Sequence, residues 1–135
     1  MSDTAGLEMP EPGGLIARMG MTITEVTPER AVGTMPVDGN TQPYGLLHGG
    51  ATAALAETLA SFAAAAHAGP DGVAMGVDLN MTHVRGKREG VVTGTATAVH
   101  LGRTMATYTV AIVDESDRLV STGRLTCAIR PRHAT

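Results

Sequence analysis

Positions 50–67 read GATAALAETLASFAAAAH, and no other run limits the possible folds of this chain so tightly. Ala, Leu and Glu are strong helix formers, and Gly69-Pro70 follows as a stop signal. A helix of this length spans about 27 Å. Its alanines allow close approach of a neighbouring layer, and a helix nearly apolar all round is normally buried. The sequence therefore predicts one long central helix with a sheet wrapped around it. Glu57 is the one ionised side chain in the run, and a carboxylate in such surroundings is costly unless it is paired or functional.

The flanking sequence supplies the sheet. Positions 21–26 and 31–37 read as two strands joined by Thr27-Pro28-Glu29-Arg30, and 38–47 (DGNTQPYGLL) reads as a loop. After the helix come four β-like runs, at 73–84, 90–100, 103–114 and 118–130, with no second helix between them. Val91, Thr93, Thr95, Thr97 and Val99 alternate with Val92, Gly94, Ala96 and Ala98, while Leu119, Leu125, Cys127 and Ile129 share one parity. The connections are too short for crossover helices, so these runs are expected as consecutive antiparallel hairpins in an α+β domain.

At 135 residues the chain fits one domain. Residues 1–18, which include MSDTAGLEMPEPGG, are expected as a flexible acidic arm, and 19–135 as the folded domain. The arm has neither the cationic start nor the apolar stretch of a targeting signal. No apolar run is long enough to cross a membrane, and the lone Cys127 suits a reducing cytoplasm. With aromatics at 2%, the core relies on Ala, Val, Leu and Met, which is thin for an isolated monomer and predicts subunit association. A net charge of −3 argues against nucleic acid as a partner. The charge is uneven, however: residues 1–84 carry two basic and nine acidic side chains, and residues 85–135 carry eight and four. The basic half suits a small polyanion.

Chemistry concentrates where the loop enters the helix. Gln42 is followed by His48-Gly49-Gly50, and Glu57 and Ser61 share a face one turn apart. The glycines let a ligand approach the backbone. The first helical N–H groups lack internal partners and lie at the positive end of the helix dipole, which suits an oxyanion. Gly49 and Glu57 are separated by about 12 Å of helix rise, too far for both to reach one carbonyl. Two antiparallel helices in an isologous dimer bring Glu57 of one subunit to Gly49 of the other, giving two shared sites.

Gln42, His48-Gly49-Gly50, Glu57 and Ser61 in this register resemble the hot-dog thioesterases of the phenylacetate-degradation and 4-hydroxybenzoyl-CoA type, over roughly residues 21–132. The resemblance implies an antiparallel sheet wrapped around a long helix, homodimers paired into tetramers, and hydrolysis of acyl-CoA thioesters. It implies that Glu57 attacks the thioester or activates water, that the Gly49 N–H polarises the carbonyl, and that Gln42 assists. Ser61 stands where Thr is usual. His48 is implied to be structural, holding the loop together with Gly50. For the coenzyme A phosphates the matching positions are Arg85, Arg103, Thr104 and Arg132. No cofactor is implied beyond the coenzyme A of the substrate. His67, His83, His100 and His133 lack metal-ligand spacing, so no metal site is expected. The competing readings are a hot-dog hydratase or dehydratase of enoyl or hydroxyacyl thioesters, and a protein that binds acyl-CoA without turnover. Tyr44, Phe62, Met75 and Met81 are candidates either to line the acyl pocket or to lie in the core.

Overall fold

Among the described residues, two helices and six strands follow in the order α1 (Gly14–Met19), β1 (Thr22–Val26), β2 (Arg30–Pro36), α2 (Gly49–Ala68), β3 (Gly72–His83), β4 (Val91–Leu101), β5 (Met105–Val113) and β6 (Leu119–Pro131). The structure is a computed structural model that describes residues 14–132. The strands form one antiparallel sheet in the order β1-β2-β4-β5-β6-β3, and α2 packs against all six. This is the α+β hot-dog arrangement that the resemblance implied.

The way α2 docks is set by side-chain size. Its buried residues are Ala51, Thr52, Leu55, Ala56, Leu59, Ala60, Ala63 and Ala64, a single stripe facing the sheet. Gly33 and Gly94 are register partners on β2 and β4. A Cβ on either would stand 2.8 Å from a methyl of Leu59. The two glycines thus form a slot that receives Leu59 and lets the helix sit close to the sheet. Tyr108 on β5 is fully buried, and its hydroxyl donates to the Pro28 carbonyl at 2.5 Å, tying the β1–β2 turn over the sheet.

Four expectations need correction. α2 is not buried all round: Ala53, Ala54, Glu57, Thr58, Ser61, Phe62 and Ala65 lie on a half-open face, because the sheet covers only one side. The strands after the helix are not all consecutive hairpins. β3 pairs with β6 and β4 with β2, so β3 becomes an edge strand and residues 84–90 carry the chain across to β4. Leu119 is half-exposed while Val120 and Ser121 are buried, since a register irregularity at Ile112/Val113 shifts the parity at the start of β6. Residues 1–13 of the expected arm lie outside the described residues. From Gly14 the chain is already helical, with Ile16 and Met19 packed on the core, so the folded part begins ahead of position 19.

The slot makes a measurable prediction. Gly94→Ala forces Leu59 to move and should cost about 1–3 kcal/mol, and Leu59→Ala about 2–5 kcal/mol. The double variant, which vacates the space the new methyl needs, should lose clearly less than the two costs combined in urea unfolding. Strict additivity would show that Leu59 does not fill the slot.

Candidate active site

His48 is the N-cap of α2 in extended backbone, and its Nδ1 accepts the Gly50 N–H at 2.8 Å. Its carbonyl accepts from Ala51 N at 2.9 Å and from Thr52 N at 3.3 Å. Among the described residues nothing accepts the Gly49 N–H. The capping residue therefore satisfies every early donor of the helix except one. That one sits at the positive end of the dipole and borders a cavity of about 340 Å³ lined by residues that include Gln42, Gly49, Thr52, His83 and Arg85.

Gln42 reaches the same cavity from the loop. The loop is closed by a Thr41–Leu47 bridge and by Gln42 N donating to the Leu46 carbonyl at 2.8 Å. The side-chain oxygen of Gln42 accepts from Tyr44 N, so the amide nitrogen is the end left to donate.

Glu57 lies elsewhere. It lines a cavity of about 430 Å³ on the open face of α2 with Leu15, Ala54, Thr58, Ser61, Phe62 and Ala65. Its carboxylate rests against β3, where a Cβ at Gly76 would stand 2.5 Å from Oε2 and would push the carboxylate from this position. Within one chain the expected site is thus divided: Gln42, Gly49 and Gly50 at the start of the helix, Glu57 and Ser61 further along it. Ser61 shares the face of Glu57 and lies beside the buried Cys127 thiol. Burial raises the Cys127 pKa, the Ser61 hydrogen bond opposes that rise, and the Glu57 charge adds to it.

The four expected phosphate ligands do not form one cluster. Arg85 borders the cavity at Gly49. Arg103 and Thr104 line a wider cleft of about 610 Å³ at the other end of α2, together with Arg130. Arg132 donates to the carbonyls of Pro70 at 3.1 Å and Gly72 at 3.3 Å. Of the acyl-pocket candidates, Phe62 is beside Glu57, Tyr44 is exposed on its loop, Met75 is exposed on β3, and Met81 packs on the core.

Sequence reasoning missed a triad at the first cavity. His83 Nδ1 lies 3.3 Å from Thr52 Oγ1 and 3.0 Å from Ser121 Oγ. These residues come from α2, β3 and β6, and no local pattern announces their meeting. The alternation of β6 hinted at it only indirectly, since Ser121 is a fully buried polar side chain in need of a partner.

An antiparallel sheet wrapped around one long helix is the hot-dog fold. Residues 44–121 match the family model described as the thioesterase superfamily. The 1,4-dihydroxy-2-naphthoyl-CoA hydrolase of Listeria monocytogenes is 36% identical over 120 residues, covering 88% of this chain and 98% of the relative. The proofreading thioesterase EntH of Cronobacter sakazakii is 39% identical over 118 residues, covering 87% and 86%. The solved thioesterase HI1161 of Haemophilus influenzae superposes with a TM-score of 0.86 at 33% identity, covering 91% of this chain and 88% of that one. This chain belongs to the thioesterase superfamily and is an enzyme of that class. Among the described residues, no helix is long and apolar enough to cross a membrane.

The surroundings of Cys127 predict its reactivity. A thiol-specific reagent should leave the native protein unmodified at neutral pH and should titrate one thiol per chain in denaturant. Rapid labelling of the folded protein would contradict the burial described for Cys127.

Proposed function

We propose that this chain hydrolyses acyl-CoA thioesters in the manner of the phenylacetate-degradation and 4-hydroxybenzoyl-CoA enzymes, with aromatic acyl groups preferred. The observation that carries this reading is the Gly49 N–H, which has no acceptor among the described residues and belongs to a cavity that Gln42 also lines. Two preorganised donors suit the oxygen of a thioester carbonyl as it becomes an oxyanion.

The working unit is a two-fold dimer. Gly49 and Glu57 are about 12 Å apart along one helix, so the carboxylate that completes each site comes from the other subunit. An unpaired edge strand is a template for another strand, and β3 is such an edge, with Met75 and Val77 47% and 62% exposed. A second copy that covers it also brings the open faces of the two α2 helices together. Dimers then pair into tetramers, as in the family that the sequence resembles.

At each shared site Glu57 acts by one of two routes. As a base, it takes a proton from water, the resulting hydroxide adds to the carbonyl carbon, and the oxyanion rests on the Gly49 N–H and the Gln42 amide. Collapse breaks the C–S bond, and the coenzyme A thiolate takes the proton held by Glu57. As a nucleophile, Glu57 forms an acyl anhydride as the thiolate leaves, and water then cleaves the anhydride. Ser61, on the same face, helps shape the carboxylate's surroundings. Phe62 offers a ring to an aromatic acyl group, and the Listeria relative is named for an aromatic acyl-CoA. With antiparallel helices, the cleft of Arg103 and Thr104 lies about 16 Å beyond Glu57 of the same subunit. That direction is outward past Gly49 of the partner, so a pantetheine arm can carry the phosphates there, with Arg85 and Arg132 at the margins. Coenzyme A is substrate here and no resident cofactor takes part.

Thiol release from benzoyl-CoA tests the reading. Glu57→Ala and Glu57→Gln should each lower kcat by at least about a hundredfold with KM little changed. Near-native turnover in either would remove Glu57 from the mechanism. Mixing inactive Glu57→Ala subunits with inactive Gly49→Pro subunits should restore activity, because one of the two sites in the heterodimer then has both groups intact. No recovery between folded, exchanging subunits would rule out a shared site.

A further inference from the structure

The triad of His83, Thr52 and Ser121 has no part in the steps above, yet its ring borders the reaction cavity. Thr52 Oγ1 donates to the Gly49 carbonyl at 2.9 Å, and Ser121 Oγ donates to the Thr82 carbonyl at 3.2 Å. A hydroxyl has a single proton, so each of these can offer the ring only a lone pair. With both hydroxyl protons assigned to these carbonyls, His83 Nδ1, at 3.3 Å and 3.0 Å from the two oxygens, is assigned the hydrogen. In the neutral ring this leaves Nε2 as an acceptor. The hydroxyls are held firmly, Thr52 being 2% exposed and Ser121 fully buried. The other edge of the ring stands over Gly49, where a Cβ would lie 2.7 Å from Nε2. A side chain at 49 would displace the imidazole from that space. The fold thus presents a fixed acceptor next to the N–H proposed to hold the thioester oxygen.

A thioester group has no hydrogen to donate. In a coenzyme A thioester the nearest donor is the cysteamine amide N–H, a two-carbon link beyond the sulfur. We propose that His83 Nε2 accepts this N–H and so positions the leaving-group arm, making His83 a binding residue for the pantetheine end of the substrate. This rests on the acyl-CoA reading above.

The test uses two thioesters of one aromatic acid: the N-acetylcysteamine thioester, and its analogue in which an ester oxygen replaces the amide N–H. The wild-type enzyme should prefer the amide about five- to tenfold in kcat/KM, the worth of one hydrogen bond. In His83→Ala and His83→Asn this ratio should fall towards one. Asn still offers an N–H to Thr52 and Ser121 but ends short of the cavity, so it serves if the Ala variant fails to fold. A preference retained in the variants overturns the proposal. A fall in both substrates at constant ratio also overturns it, and assigns the ring to water activation or loop shape. Calorimetric titration with S-propyl-coenzyme A, a thioether that cannot be hydrolysed, judges His83 separately from turnover. Binding at least about fivefold weaker in His83→Asn supports the proposal, and unchanged binding overturns it. If the wild type hydrolyses no thioester, the acyl-CoA hydrolase reading fails, while the titration still decides the role of His83.

Discussion

The seating of Leu59 between Gly33 and Gly94 governs much of this molecule. A helix this rich in alanine offers few distinctive handles, and several rotations about its axis would bury comparable apolar area. One large side chain entering a slot of two paired glycines removes that freedom. Once Leu59 and Leu55 point into the sheet, Glu57 and Ser61 must face away from the slot, and Gly49 must emerge beside the end of β3. The rotation of α2, more than any property of Glu57 itself, decides that the carboxylate meets Gly76 and the open face.

A second economy operates at the start of α2. Helix ends carry donors without partners, and most proteins satisfy them with caps or water. Here one residue, His48, takes the Gly50 N–H on its ring and the Ala51 and Thr52 N–H groups on its carbonyl. A more complete cap would leave no donor for a ligand, and a poorer one would leave several competing positions. The single free N–H at Gly49 therefore defines one point in space. The same chain holds its carboxylate in a different cavity, so the proposed function binds chemistry to assembly.

Much of the fold could be read from the sequence, for physical reasons. Residues of α2 are strong helix formers bounded by glycine and proline, and the observed Gly49–Ala68 differs from the expected bounds by a residue at each end. The strands were legible because Thr and Val alternate along them. Their partners were not: alternation reports which face is buried and is silent on which strand lies alongside, so the pairing of β3 with β6 was hidden. The half-open face of α2 was hidden too, because alanine gives both sides of the helix the same apolar character. In the site, Gln42, Gly49 and Glu57 stood out through a junction and an isolated charge. His83 did not, since its meaning comes from Thr52 and Ser121, which approach it from other elements.

The edge position of β3 also bears on the order in which the protein assembles. Apart from the helix before it, β3 has one neighbour in the sheet among the described residues, and that neighbour is β6, the last of the described strands. During synthesis β3 leaves the ribosome well before β6 and must wait for it, whereas β1, β2, β4 and β5 have partners sooner. Pairings of such long sequence separation form slowly, because loop closure precedes the contacts that reward it. The groove that receives Glu57 at Gly76, and the strand edge on which a second copy would lie, are thus completed late. A chain cut short before β6 would retain its helix and its motif but would have nowhere to put the carboxylate.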